Sequence, residues 1–150
     1  MKKALAIIAA LIISMGAYAQ IEHPVKWAYA AKKTGPTEVT VFLKASIEPG
    51  WHIYSLNVKD GGPIKTSFTF TPSKEYALAG KPVEPKPVTK FEKSFNMDVS
   101  YFEKEVIFQQ KIKLKTSNIS DIKGSLEYMT CNDKKCLPPE DINFSIPVGK

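Results

Sequence analysis

Hydrophobic and polar residues alternate with a period of two along several short stretches of this chain, and clusters of turn residues separate those stretches. That period sends successive side chains to opposite faces of an extended backbone, so it predicts half-buried strands. Residues 39–45 alternate in this way before Pro49-Gly50, and Trp51 to Tyr54 opens a further strand beyond that turn. Residues 67–71 set Phe against Ser and Thr. Residues 106–114 form the longest candidate; lysine separates Ile112 from Leu114, so its far end is expected to be half exposed. Residues 25–31, 126–131 and 142–148 complete the expected strands. All are rich in Val, Ile, Phe, Tyr and Thr, which fit a pleated surface. Helical periodicity is hard to find beyond the N-terminal segment, and eleven prolines would break a long helix. Roughly six to nine short strands in one domain predict an all-β fold, an immunoglobulin-like antiparallel β-sandwich, with a closed barrel as the alternative. Residues 80–87, with Pro82, Pro85 and Pro87, read as an extended surface connection.

The first twenty residues depart from this pattern. Lys2 and Lys3 precede an apolar run over residues 4–15, and Ala17-Tyr18-Ala19 sets small residues around a larger one, the arrangement that signal peptidase cleaves. A membrane anchor is the competing reading, but the run falls short of the ~20 apolar residues needed to cross a bilayer. Residues 1–19 are therefore expected to be a signal peptide cleaved before Gln20, leaving residues 20–150 as a single domain, soluble outside the cytoplasm. Cleavage lowers the formal charge of +6 by the two lysines lost. Basic residues are scattered among acids rather than gathered in a stripe, so no nucleic-acid partner is expected.

Export changes what the two cysteines can mean, because disulfides persist outside the cytoplasm. Cys131 and Cys136 flank the four residues Asn132-Asp133-Lys134-Lys135. Residues opposed across such a hairpin have Cα atoms ~4.5–5.5 Å apart, inside the ~4.4–6.8 Å span of disulfides, so the spacing permits a bond. A ring of about six residues gains only ~2 kcal/mol in the loop-entropy account, against ~5 for one tying distant parts of the domain. The bond is thus a poorly placed staple, although a structural hairpin disulfide in a passive interaction domain stays open as a reading. A reactive pair needs an exposed sulfur and a stabilised thiolate; Lys134 and Lys135 favour the thiolate and Asp133 opposes it. His52 and Tyr54 share one face of their strand if Trp51 and Ile53 face inward. Cys131, Cys136, His52, Met97 and Met129 also make a soft donor set suited to Cu(I). Against that, methionines commonly fill cores and Cys-x4-Cys lacks the usual zinc spacing, so no metal or cofactor is expected. No G-x-S-x-G elbow or phosphate loop is present.

The run Cys131-Asn132-Asp133-Lys134-Lys135-Cys136-Leu137-Pro138-Pro139-Glu140, after Tyr128, resembles the redox motif of the N-terminal periplasmic domain of the thiol:disulfide interchange protein DsbD family. Pro49-Gly50-Trp51-His52-Ile53-Tyr54 is similar to that family's aromatic strand. Ser94-Phe95-Asn96-Met97, followed by Val99-Ser100-Tyr101-Phe102, is similar to its cap loop. The resemblance implies an immunoglobulin-like periplasmic domain that takes electrons from a thioredoxin-like or membrane-embedded thiol donor. Its recipients are oxidised periplasmic thiol proteins, among them disulfide isomerases and factors of cytochrome c biogenesis. It further implies that Cys136 forms mixed disulfides, that Cys131 resolves them, that Phe95 shields the sulfurs with Asn96 and Met97 in the cap, and that His52 and Tyr54 line the pocket.

Three departures stand out. This chain has four residues between the cysteines where the family usually has five. It has His52 where the family often has Tyr, which brings an ionisable ring to the sulfurs and implies pH-dependent thiol chemistry. Its cap lacks an expected glycine. The sequence stops at Lys150, where larger members continue into membrane helices, so a free-standing redox module served by a separate donor is expected.

Overall fold

The computed structural model of the chain describes residues 22–117, 119 and 121–148. The signal segment and the cleavage position before Gln20 lie outside them. Among the described residues there are eleven strands and no helix: β1 (Val25–Gly35), β2 (Glu38–Ile47), β3 (Trp51–Tyr54), β4 (Ser67–Phe70), β5 (Tyr76–Leu78), β6 (Val88–Glu92), β7 (Met97–Phe102), β8 (Glu105–Leu114), β9 (Asp121–Tyr128), β10 (Thr130–Asn132) and β11 (Glu140–Pro147). Every pairing is antiparallel. The strands form three sheets, ordered β1-β2-β8-β5, β10-β3-β7-β6 and β11-β9-β4. Inward side chains of all three meet in one core, giving the all-β, immunoglobulin-like sandwich.

Alternation along the chain builds that core. Strand β8 buries Val106, Phe108, Gln110, Ile112 and Leu114 and exposes every residue between them. Its far end is half exposed as expected, with Ile112 and Leu114 buried and Lys111 and Lys113 outward. The strand is central in its sheet: β2 runs along one side, and Tyr76 and Leu78 of β5 pair with Leu114 and Ile112 on the other. Phe108 anchors the aromatic centre, with Phe68, Phe102 and Trp27 at centroid distances of 5.1, 5.7 and 6.1 Å.

The expected strand over residues 126–131 is in fact two. Met129 separates β9, which pairs with β11 and β4, from β10, which pairs with β3. The chain thus changes sheets one residue before the first cysteine strand. Strand β1 also runs on to Gly35, and β5, β6 and β7 arise where no strand was expected. The connection over residues 80–87 is an extended surface run that does positional work. Val83 exchanges two backbone hydrogen bonds with Gln109, at 2.8 and 2.9 Å. The Glu84 carboxylate accepts from Ser55 Oγ, Leu56 N–H and Asn57 Nδ2 at 2.5, 2.8 and 3.0 Å, fastening the chain just beyond β3.

Gly124 sits in β9 between two neighbouring strands, where a Cβ would press on the Thr69 carbonyl oxygen and come within 2.6 Å of the Phe144 ring. Overpacking of this kind costs about 1–3 kcal/mol. Gly124→Ala is expected to lower the unfolding free energy by that amount, moving the urea midpoint down without changing the transition's slope, as equilibrium denaturation will measure.

Candidate functional site

Strand register assembles the site. In the β10–β3 ladder Cys131 lies opposite His52, and Tyr54 of β3 lies opposite Tyr101 of β7. Directly opposed residues project from the same face. Ile53 and Phe102, one position along, point into the core, so His52 and Tyr54 lie on the outer face together with Cys131. A small second cluster forms there, with Tyr54, Val99 and Cys131 buried and Met129 and Tyr101 packed against them. The β6–β7 hairpin and the cysteine hairpin border a cleft of about 510 Å3 lined by both cysteines, His52, Tyr54, residues 90–95 and residues 132–135.

Cys131 and Cys136 are joined as a disulfide. Hydrogen bonds from Asn132 N–H to Lys135 O and from Leu137 N–H to Thr130 O, both 2.9 Å, flank the pair. The cysteines therefore occupy a narrow, non-hydrogen-bonded position of the ladder. Asn132 Oδ1 accepts from the backbone N–H groups of Lys134 and Lys135 at 2.9 and 2.8 Å and draws the turn in. The Cα atoms are 4.0 Å apart, closer than the expected span, because the narrow register and the capped turn act together. The two sulfurs differ in access: Cys131 is 2% exposed, whereas Cys136 stands among exposed neighbours and is itself exposed.

Charge around the hairpin is more compensated than its sequence implies. Lys135 Nζ lies 2.5 Å from Glu22 Oε2 and 6.0 Å from the Trp51 ring centroid. No local pattern marks Glu22 or Glu84 as partners, since each acts across a long stretch of chain. His52 Nε2 is 3.2 Å from the Tyr54 hydroxyl, and its ring packs against Tyr54 and Tyr101 at 5.3 and 5.0 Å. Burial pulls the His52 pKa down; the carboxylates of Glu103, Glu92 and Asp133 pull it back, and Lys90 adds to the lowering. Burial, aided by Glu92, pushes the Tyr54 phenol up to about 12. Both side chains are neutral near pH 7.

The cap is the β6–β7 turn, held by hydrogen bonds from Phe95 N–H to Glu92 O and from Asn96 N–H to Lys93 O, at 3.2 and 3.3 Å. Phe95 is half-buried and lines the cleft. In this conformation it leaves Cys136 exposed. Asn96 has φ 52°, the left-handed region that glycine favours and asparagine tolerates best among the rest. Asn96 is exposed and Met97 is half-buried beside Val58 and Gly62; neither lines the cleft. Met97, like Met129, packs against the small cluster that holds Tyr54, Val99 and Cys131. Among the described residues no group of three or more His, Cys, Asp or Glu is arranged to hold a metal.

Comparison with known proteins extends this geometry. The family model described as thiol:disulfide interchange protein DsbD, N-terminal, matches residues 23–147. No curated protein matches the chain in sequence. Among solved structures, the N-terminal periplasmic domain of ScsB from Proteus mirabilis aligns with TM-score 0.62 and 21% identity, covering 85% of this chain and 48% of that one, so this chain spans about half of it. The reduced DsbD N-terminal domain of Neisseria meningitidis aligns with TM-score 0.54 and 20% identity over 83% of this chain and 86% of that one. A complex of the Neisseria meningitidis DsbD and PilB N-terminal domains gives TM-score 0.55 and 18% identity over 84% and 87%. At these identities the structural likeness shows the fold.

Left-handed backbone at residue 96 yields a test of the cap's construction. Asn96→Ala is expected to destabilise by about 1–2 kcal/mol, and Asn96→Gly to stay within about 0.5 kcal/mol of the parent; urea midpoints of the two variants will show the difference.

Proposed function

The chain belongs to the family of the N-terminal domain of the thiol:disulfide interchange protein DsbD, and on that premise we propose that it is a periplasmic redox relay working through Cys131 and Cys136. Export by the N-terminal signal and cleavage before Gln20 deliver residues 20–150 to a compartment where such a bond can cycle. The observation that carries the reading is the unequal burial of the two sulfurs at the edge of one cleft.

Reduction begins when a thiolate of a thioredoxin-like or membrane-embedded thiol donor attacks the accessible Cys136 Sγ. The Cys131–Cys136 bond breaks, its electron pair leaves on Cys131, and a donor–Cys136 disulfide forms. The donor's second thiol then attacks its own bridging sulfur and releases the protein as a dithiol. Two electrons have passed from donor to protein. With an oxidised periplasmic recipient the sequence runs the other way: Cys136 attacks, Cys131 resolves, and the recipient leaves reduced. A DsbD N-terminal domain has been solved in complex with a PilB N-terminal domain, which supports a protein partner rather than a small molecule. The rival reading, a passive domain with a structural bond, requires a reduction potential below about −300 mV.

Unequal access of the sulfurs gives the decisive experiment. Reduced Cys131→Ser is expected to accumulate a stable mixed disulfide with an oxidised thioredoxin-like domain, detected by non-reducing electrophoresis and mass spectrometry. Cys136→Ser, left with the buried sulfur, is expected to trap at least roughly tenfold more slowly. Equal trapping by the two would overturn the assignment.

Phe95 is proposed as the shield of the disulfide. Phe95→Ala is expected to speed reduction of the Cys131–Cys136 bond by dithiothreitol several-fold, followed by alkylation of the freed thiols; an unchanged rate would remove the shield.

A further inference from the structure

Resting on the relay reading above, we propose that His52 is the base that takes the Cys131 thiol proton when a mixed disulfide on Cys136 is resolved. Cys131 and His52 are directly opposed in the β10–β3 ladder, which sets their Cβ atoms about 4.5–5.5 Å apart on one face. Cys131 is 2% exposed, so bulk water reaches its thiol poorly and the proton needs a nearby acceptor.

Several titratable or charged groups face this ring. Tyr54 shares its strand, Tyr101 and Glu103 come from β7 and its end, Lys90 and Glu92 from β6, and Asp133 from the cysteine turn; Lys134 and Lys135 border the same cleft. Phenol and ammonium groups are poor proton acceptors, and carboxylates are weak bases toward a thiol. The imidazole is the group suited to the transfer. Burial keeps it unprotonated near pH 7, while Glu103, Glu92 and Asp133 would steady the imidazolium once formed. In the tautomer whose Nε2–H donates to the Tyr54 oxygen across 3.2 Å, Nδ1 presents its lone pair.

The step balances without a further reactant. Cys131 S–H gives its proton to the imidazole, and the thiolate attacks Cys136 Sγ. The Cys131–Cys136 bond forms as the Cys136–partner bond breaks, and the partner sulfur leaves with the electron pair. The imidazolium then returns its proton to solvent. In the reverse direction the same imidazolium protonates the departing Cys131 thiolate.

The test uses the reduced protein and one equivalent of 2,2′-dipyridyl disulfide, followed by stopped-flow absorbance between about pH 5 and 8. Attack by exposed Cys136 releases one thiopyridone; resolution by Cys131 releases a second. In the parent the second release should slow as the pH falls and the ring protonates, at a pH below the ordinary imidazole range because burial lowers its pKa. In His52→Phe and His52→Gln, with folding checked by urea midpoint, the second release should slow at least about tenfold near neutral pH. The first release should stay within about twofold, and added imidazole should restore the second in His52→Ala. A second release unchanged in both variants, or both releases slowed alike, would overturn the inference. Two clean releases indifferent to residue 52 sink this inference alone, whereas no release at Cys136 in any variant sinks the relay itself.

Discussion

The pairing of three residues, Thr130 to Asn132, with Trp51 to Ile53 is the constraint on which the site depends. It comes into being because the chain changes sheets at Met129, leaving β9 in one hydrogen-bonded group and starting β10 in another. Register then does the rest. Setting Cys131 opposite His52 turns the sulfur to the outer face, and the neighbouring pair, Thr130 and Ile53, faces the core. A slip of one residue would exchange those faces, bury the disulfide in the sandwich and leave the cleft without its chemistry.

Much of this was legible before any coordinates, and the parts that were not have identifiable causes. Period-two alternation is a local signal, and it located β2, β3, β4 and the length of β8. It also read the far end of β8, where lysines alternate outward with Ile112 and Leu114, but not β5 on its flank, a pairing between segments distant in sequence. It joined β9 to β10, because apolar content is continuous through Met129 and only the partners change. The short strands β5, β6 and β7 are brief runs flanked by prolines, lysines and turn residues, too short for a clear alternation, and their ladders are completed by neighbouring strands.

The site was legible at a different grain. The cysteine spacing marked the hairpin, and strand alternation put His52 and Tyr54 on one face. Unequal sulfur exposure could not be read, since it depends on which side of the hairpin the β6–β7 turn and the sheet approach. Glu22 and Glu84 were likewise silent, being charges whose partners lie more than twenty residues away. The cap shows how a missing residue can mislead. The expected glycine is absent, yet Asn96 adopts a left-handed backbone conformation that glycine favours.

Two backbone hydrogen bonds bracket the cysteines, from Asn132 to Lys135 and from Leu137 to Thr130, and neither involves sulfur. Opening the covalent bridge therefore leaves the hairpin tied at both ends. The freed thiols would stay at a high effective molarity toward one another. In the proposed relay the driving force would therefore go to moving electrons rather than to refolding the turn.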